Sequence, residues 1–397
     1  MKNEIKYYIH SILYSMIVFV LGGTLLQTFL IEKGFSEENV TVLLSVLQVI
    51  QILTIFIFSS IADKFKRYKK PTAFSVFACL PLSVFLLILS FSQESGSSSL
   101  PFLIFGAFYN IFLGIYNIFS YKLPYTIIDM SRYGLITALV GVVVGVLSFG
   151  ASVLISYLQT VYTFFAVMRV IYVLTLIFIV GLAIVTLSFE ETIPPLELGE
   201  EKKKGNILKY KPFLILIIPN VFRGFCTGIA GMAATIGYFI GVLDSTSASV
   251  LLAVTNVSAI ASSFLYSFLT RKIREKHMLL TASVMVFVFM SLMTVIKGTA
   301  SFVTFFGLAY FFVYVVSLSV PVSISRTIKY DVIGQYTGGR ILLHTLGSSL
   351  AGFLCIPMIR FFGAELTMIF SGGLQLVSGI VYYVFLNNYE KQNNIKV

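Results

Sequence analysis

One arginine lies inside an apolar run of the sequence, at a depth where a membrane would contain little water. Arg223 follows Pro212 by eleven residues, within the apolar run 212–242. At ~1.5 Å per helical residue it would lie about 16 Å into a hydrocarbon core ~30 Å thick. A cation at that depth costs at least ~2.5–3.5 kcal/mol, so it should face a wet cavity or a partner. We expect Arg223 to bind an anionic group of a ligand, such as a carboxylate or phosphate, which the guanidinium geometry suits. The alternative is an arginine that is satisfied by helix carbonyls and water.

Other polar side chains within apolar runs could complete a hydrogen-bonding cavity. Asn220 and Thr227 share the helical face of Arg223, because they are three and four residues away from it. The remaining candidates are amides and phenols on other runs: Asn110, Asn117, Asn256, Gln27, Gln375, Tyr310 and Tyr314. A membrane amide can instead bond to a neighbouring helix, so each of these could be structural. Arg169, near the outer end of its run, is expected to be structural and to extend toward the interface.

Proton chemistry has few candidates in this chain. All 17 Asp and Glu residues lie in tails, in loops or at the ends of apolar runs. A membrane-embedded carboxylate, the common proton site of proton-driven transporters, is therefore not expected. His344, about one turn into the eleventh run, is the remaining protonatable candidate, and a structural histidine is the alternative.

Twelve apolar runs would position these residues. Hydrophobic residues make up 57% of the 397 residues and charged residues 11%, and the mean hydropathy is +0.94. Because a membrane helix needs ~20 apolar residues, these runs predict an all-α polytopic membrane protein with twelve transmembrane helices. The predicted spans are 7–31, 38–62, 71–92, 101–121, 134–157, 163–188, 212–242, 246–269, 278–297, 301–325, 340–361 and 364–386.

The basic residues are sorted by position between these runs. Of 28 Lys and Arg residues, 23 lie in the two tails and in every second gap. Lys and Arg are retained on the cytoplasmic side, so we expect both termini in the cytoplasm and the chain in the cell membrane. The net charge of +11 is then explained by anchoring to the lipid bilayer, and nucleic acid is not an expected partner.

The chain is expected to consist of two six-helix bundles that enclose a central cavity. A polar linker at 190–211 separates the N-terminal bundle, 1–189, from the C-terminal bundle, 212–397. A basic segment follows the second run of each half, which is the weak internal repeat typical of transporter duplications. Glycine pairs four residues apart predict close helix contacts. These pairs are Gly141/Gly145, Gly224/Gly228 and Gly237/Gly241.

The segment from Ser59 to Arg67 carries a family resemblance. Its sequence, Ser-Ser-Ile-Ala-Asp-Lys-Phe-Lys-Arg, resembles the loop motif of the major facilitator superfamily, G-x-L-A-D-R-x-G-R. The resemblance implies a twelve-helix secondary transporter, and it implies that Asp63 caps a helix and pairs with nearby arginines. The cytoplasmic gate implied in this way comprises Asp63, Lys64, Arg67, Asp129, Arg132, Arg271, Asp331 and Arg340.

These observations predict secondary active or facilitative transport of a small polar solute, anionic or zwitterionic, by alternating access. The alternatives are a proton-coupled exporter of amphipathic drugs or lipids, and a sugar transporter. The coupling ion, if one is used, would be H+ or Na+, and we expect a monomer. No nucleophile, metal-ligand or nucleotide motif is apparent, so we expect neither an enzyme nor a cofactor. The three cysteines, Cys79, Cys226 and Cys355, are expected to be buried thiols.

Overall fold

The computed structural model describes residues 3–62, 65, 67–92, 99–128, 130–191, 216–269, 272–327 and 330–392. Within these ranges every regular element is helical, as the apolar runs predict. The chain divides into two compact units, Met1–Glu200 and Glu201–Val397. The linker predicted at 190–211 lies outside the described residues from 192 onward, so its boundaries and those of the two bundles stay a prediction.

The described part of the first unit contains nine helices. They are α1 Asn3–Leu21, α2 Gly23–Glu32, α3 Glu37–Ala62, α4 Lys69–Phe77, α5 Leu80–Phe91, α6 Ser99–Lys122, α7 Pro124–Ile127, α8 Met130–Val161 and α9 Phe164–Leu187.

The described part of the second unit contains six helices. They are α10 Pro219–Gly231, α11 Ala233–Phe239, α12 Ser245–Leu269, α13 Glu275–Val295, α14 Thr299–Thr327 and α15 Tyr330–Gln392. The last of these consists of two helices joined at Gly363, whose backbone is not helical, with φ 83° and ψ 159°. This break confirms the predicted boundary between the eleventh and twelfth runs.

Ten helical stretches in the described residues are long and apolar enough to cross a membrane. One of them, Gly339–Lys391, contains the two helices that meet at Gly363. The seventh predicted run is not among the ten, and its described part forms α10 and α11. With these two adjustments the helices follow the twelve predicted runs.

Three runs that were expected to be single helices are interrupted, which corrects the sequence interpretation. The first breaks before Gly23, whose φ of 62° no helix accommodates. The third breaks at Ala78, just ahead of Pro81, which cannot donate a helical hydrogen bond. The seventh breaks at Met232, whose N–H is shared between the carbonyls of Gly228 and Ile229.

Many hydroxyl side chains inside the helices donate to a carbonyl in the preceding turn of the same helix. Ser152 donates to the Ser148 carbonyl at 2.7 Å, and Ser319 donates to the Val315 carbonyl at 2.8 Å. A hydroxyl that bonds its own helix does not need water, so these residues are compatible with an apolar environment.

Each unit has its own apolar core. In the first unit, Phe119, Leu123, Ile128 and Phe189 pack together near the ends of α6 and α9. In the second, Leu216, Leu279, Val320 and Tyr382 form a corresponding cluster, and the Tyr382 hydroxyl donates to the Leu216 carbonyl at 3.0 Å. These cores hold the helix ends, and thereby fix the depth of the polar side chains along each helix.

Candidate functional site

A close crossing between α10 and α15 forms the base of the candidate site. A Cβ added at Gly228 would lie 2.6 Å from the Ser348 carbonyl oxygen and 2.7 Å from Cβ of Ala351. Gly224 approaches the backbone of His344 in the same way. The contact predicted for the Gly224/Gly228 pair is therefore confirmed, because only glycine lets the two backbones come this close.

The Gly237/Gly241 pair does not form the predicted crossing, and for the Gly141/Gly145 pair the structure describes only the surroundings of Gly141. Nothing lies within 4 Å of a Cβ added at Gly141. Gly241 lies beyond the end of α11, with φ 72°, and Gly237 packs against the side chain of Leu243 in the following turn. Glycine spacing alone is therefore not sufficient to predict a helix crossing, because glycines also end helices.

Arg223 lies on α10 immediately before Gly224 and is buried, with 5% of its surface exposed. Its Nη2 atom donates to the Ser317 hydroxyl of α14 at 3.1 Å. The guanidinium is thus held inside the second unit, where one of its contacts is a neutral hydroxyl group.

Thr227 connects Arg223 to His344. The Thr227 hydroxyl donates its single hydrogen to the Arg223 carbonyl, one turn back on α10. The same oxygen lies 3.0 Å from Nε2 of His344. Because the threonine hydrogen is already used, His344 must donate from Nε2. In the neutral imidazole Nδ1 is then an acceptor, and it has no hydrogen-bond partner within the described residues.

Asn220 contributes an unsatisfied acceptor to the same helix. Its amide nitrogen donates to the carbonyls of Leu216 at 2.9 Å and Ile217 at 3.1 Å. Its Oδ1 atom is buried and has no hydrogen-bond partner in the part of the chain that the structure describes. A buried acceptor left unpaired costs ~1–3 kcal/mol, so Oδ1 is suited to accept from a ligand or water.

Two of the predicted tyrosines lie on α14, the helix that carries Ser317. The rings of Tyr310 and Tyr314 are 5.1 Å apart and meet edge to face. Tyr314 precedes Ser317 by three residues and Tyr310 precedes Tyr314 by four, so all three share one helical face. The structure therefore brings Tyr310 and Tyr314 to the face that contacts Arg223.

The remaining predicted residues of the second unit have other surroundings. Gln375 is buried and donates to the Ser283 hydroxyl at 3.1 Å, which links α15 to α13. Asn256 is half-buried on α12. Gln375 thus has the helix-bridging contact that was the structural alternative for a membrane amide.

In the first unit the predicted amides bond to protein groups. Asn117 accepts a hydrogen bond from the Tyr14 hydroxyl at 2.8 Å. Asn110 donates to the carbonyl of Gly106 on its own helix at 2.8 Å. Gln27 is buried, with 2% of its surface exposed. Asn110 and Asn117 lie seven residues apart on α6, and Gln27 lies on α2.

A histidine that the sequence interpretation overlooked lies beside Asn117. His10, buried on α1, has Nδ1 3.0 Å from the Thr186 hydroxyl and Nε2 2.9 Å from the Tyr116 hydroxyl. Thr186 gives its hydrogen to the Leu182 carbonyl, so Nδ1 of His10 donates and Nε2 accepts from Tyr116. The expectation that His344 was the remaining protonatable group is therefore wrong, although His10, unlike His344, has both ring nitrogens engaged.

Arg169 has the structural role that was expected of it. Its guanidinium donates to the Ser90 carbonyl, with Nη2 at 3.1 Å, and its Cζ lies 4.3 Å from the centroid of the Phe91 ring. These contacts hold α9 against α5.

Most residues of the predicted gate fall on parts of the chain that the structure does not describe. Asp63, Lys64, Asp129 and Arg271 lie outside the described residues, as do the side chains of Arg132 and Asp331. Arg67 is exposed and Arg340 is half-buried. The gate thus stays a prediction.

A different carboxylate, which the sequence interpretation did not single out, caps a helix at this end of the first unit. Glu191 accepts hydrogen bonds from the backbone N–H groups of Tyr68 at 2.5 Å and Lys69 at 3.2 Å, at the start of α4. The Lys69 ammonium in turn donates to the Phe189 carbonyl at 2.9 Å. A carboxylate at a helix N-terminus satisfies free N–H groups and complements the helix dipole.

Comparison with known proteins agrees with this architecture. The structure of a D-xylose–proton symporter superposes with a TM-score of 0.72 at 12% identity, covering 96% of this chain and 97% of that one. A mutant of the nucleoside transporter NupG gives a TM-score of 0.71 at 14% identity, with coverage of 97% and 100%. At these identities the likeness shows a common fold. No curated protein sequence matches the chain.

The family model of the Major Facilitator Superfamily matches residues 7–352. This match extends from the first unit into the second and includes every residue of the α10 site described above, together with the crossing of α10 and α15. The chain is therefore a multi-pass membrane protein that belongs to the major facilitator superfamily of transporters.

Proposed function

We propose that the protein transports a small solute that carries a carboxylate or phosphate, and that zwitterionic solutes fit best. The observation that carries this proposal is the buried guanidinium of Arg223, within one turn of the buried free acceptor of Asn220. The guanidinium suits an anionic group, and Oδ1 of Asn220 suits a donor such as an ammonium group. A solute that bears both groups would satisfy both side chains at once.

His344 is the group that we propose for proton coupling. Its Nε2 is fixed by Thr227, while Nδ1 has no partner in the described residues and can accept a proton. A proton gained there lies one bridging hydroxyl away from the Arg223 backbone, so protonation of His344 and anion binding at Arg223 would influence each other electrostatically. Na+ coupling or uniport are the other outcomes that the transport assay distinguishes.

The other polar candidates have supporting roles in this proposal. Tyr310 and Tyr314 lie on the α14 face that contacts Arg223 and would contribute hydroxyl groups. We also propose that the protein is a monomer in the cell membrane with both termini in the cytoplasm. The predicted cytoplasmic gate around Arg67 and Arg340 belongs to the same proposal.

The decisive experiment is uptake into proteoliposomes with an imposed proton or sodium gradient. The solute panel contains monocarboxylates, inorganic phosphate, amino acids, neutral sugars and lipophilic cations. Uptake of sugars alone would favour the sugar-transport alternative, and expulsion of lipophilic cations would favour the drug-export alternative. Either result would contradict the proposal.

The residue test compares Arg223→Gln, Arg223→Lys and the control Arg169→Lys. Loss of one partner of a buried charge contact costs ~2–5 kcal/mol, so Arg223→Gln should lower uptake efficiency for anionic solutes by about 30-fold or more. Arg223→Lys keeps the charge and should retain part of the activity, and Arg169→Lys should transport normally. Normal uptake by Arg223→Gln would refute the assignment of Arg223 to solute binding. His344→Gln should abolish only the dependence of uptake on the proton gradient.

A further inference from the structure

The second unit contains another concave site, at the ends of its helices that lie away from the C-terminal tail. The cavity has a volume of about 510 Å³, within the range of ~300–1,000 Å³ that is typical of small-molecule sites. Its walls come from the end of α11, the turn between α13 and α14, and the break inside α15. None of the residues assigned to the α10 site lines it.

Three glycine turns shape this cavity. Gly241, Gly298 and Gly363 have φ angles of 72°, 120° and 83°, a region that side chains disfavour. A Cβ added at any of them would meet nothing within 4 Å, so each turn borders open space. The Thr299 hydroxyl donates to the Val242 carbonyl at 2.8 Å, which joins two of the three turns. The backbone conformation of these turns therefore defines the cavity, and side-chain rotamers alone do not.

Two oppositely charged side chains line the cavity, and neither has a partner among the described residues. Lys297 and Glu365 both lie on its wall and both are exposed. Within the described residues neither has a hydrogen bond, an ion pair or a ring contact. By contrast, Lys276 and Glu390 of this unit form an ion pair, with their Nζ and Oε2 atoms 2.7 Å apart. A free ammonium and a free carboxylate that line one cavity are complementary to a ligand that carries both an anionic and a cationic group.

The surroundings of the cavity are apolar and exposed. The exposed fractions are 84% for Phe361, 62% for Phe362, 57% for Leu366 and 43% for Ile296. In a membrane protein such side chains at the ends of the spanning helices face the lipid near the headgroup level. The expected occupant therefore has apolar chains as well as a charged headgroup.

We propose that this cavity binds a zwitterionic phospholipid with a primary amine, of the phosphatidylethanolamine type. Its phosphate lies on Lys297, its ammonium donates to Glu365, and its acyl chains run along Phe362 and Leu366. A quaternary ammonium headgroup has no N–H to donate, and an anionic glycerol headgroup has no cation for Glu365. The site therefore selects the primary amine over both.

The test is native mass spectrometry of the full chain in detergent, titrated with three lipids that share the same dioleoyl chains. The three are phosphatidylethanolamine, phosphatidylcholine and phosphatidylglycerol. A charge-assisted hydrogen bond predicts about tenfold tighter binding of the ethanolamine lipid than of the other two. Glu365→Gln should remove this preference, and Lys297→Gln should weaken binding of all three lipids about tenfold. Lys272→Gln, an exposed lysine outside the cavity, is the matched control and should bind like the wild type.

Three results would overturn the proposal. The first is equal affinity for the three lipids in the wild type, and the second is wild-type affinity in both variants. The third is full competition by glycerophosphoethanolamine, which lacks acyl chains, because the ligand would then be a soluble phosphoamine. Retention of the wild-type melting temperature by Lys297→Gln and Glu365→Gln shows that any loss of lipid comes from the site itself.

Discussion

Replacement of Gly228 by alanine should separate α10 from α15 and disconnect His344 from the Arg223 site. The added Cβ would lie 2.6 Å from the Ser348 carbonyl oxygen, 2.7 Å from Cβ of Ala351 and 2.8 Å from Cα of Ser348. None of these atoms can rotate away, because two belong to the backbone and the third is fixed to it. The helices themselves must move.

The size of the movement follows from the contact distances. Ordinary van der Waals contact begins near 3.4 Å, so the helices must part by about 0.8 Å at this level. The same shift would lengthen the Thr227–His344 hydrogen bond from 3.0 Å to about 3.8 Å, beyond hydrogen-bond range. Overpacking costs ~1–3 kcal/mol, and the upper part of that range, ~2–3 kcal/mol, applies here because the clash is with backbone atoms. The better helix propensity of alanine returns ~1 kcal/mol. The net loss is about 1–2 kcal/mol, or a melting temperature lower by ~2–8 °C for a unit of this size.

The buried cysteines supply the assay. The chain contains no tryptophan, but Cys226 lies on α10, Cys355 on α15 and Cys79 in the first unit, and all three are buried. A thiol-reactive fluorophore reports the temperature at which each becomes accessible. A Cys79→Ala background then reports the second unit alone, and a Cys226→Ala/Cys355→Ala background reports the first.

The matched control is Gly231→Ala on the same helix. Nothing lies within 4 Å of a Cβ added there, so this variant should melt no lower than the wild type. If Gly228→Ala leaves the labelling temperature of the second unit unchanged, the inferred backbone contact is absent. If both units melt earlier together, the effect is not local to the crossing, and the reasoning also fails.

Three further predictions concern stability. His10→Phe leaves the buried Tyr116 hydroxyl without its acceptor, so the first unit should lose ~1–3 kcal/mol and expose Cys79 at a lower temperature. Glu191→Gln removes the negative charge at the start of α4, which should cost ~0.3–1 kcal/mol in thermal melts at low salt and less at high salt. The side-chain hydrogen bond from Ser247, followed by its backbone bond, lowers the pKa of Asp244 below its ordinary value of 3.8. Asp244 therefore stabilises the start of α12 fully above that value, and Asp244→Asn should be less stable at pH 7 by ~0.5–1 kcal/mol. This difference should shrink as the pH falls through the lowered pKa, and a difference that is constant down to pH 2 would contradict the cap.

The helices were largely predictable because a membrane span is a property of a continuous stretch of sequence. The break at Gly363 lies in the gap predicted between the eleventh and twelfth runs, where Arg360 and Glu365 interrupt the apolar sequence. The breaks near Gly23 and at Met232 were missed, since an average of hydropathy over ~20 residues does not register one turn of altered backbone. Local geometry of this kind depends on single φ angles and shared hydrogen bonds.

The candidate site was predictable where its residues share a helix and less so where they do not. Asn220, Arg223 and Thr227 were grouped correctly by helical spacing. The partners Ser317 and His344 lie 94 and more than 100 residues away from Arg223, and no spacing rule connects them. His10 was overlooked for the same reason, because its role becomes visible only through Tyr116 and Thr186 on other helices.

The glycine crossing limits how the specificity of this protein can be re-engineered. Because the α10 and α15 backbones touch at Gly224 and Gly228, these two positions accept no bulk, and the segments flanking them behave as one stiff unit. A mutant library for altered selectivity should therefore randomise Asn220, Thr227 and the α14 tyrosines while keeping both glycines fixed. The substitutions would then change the side chains of the proposed binding site and leave the contact between α10 and α15 intact.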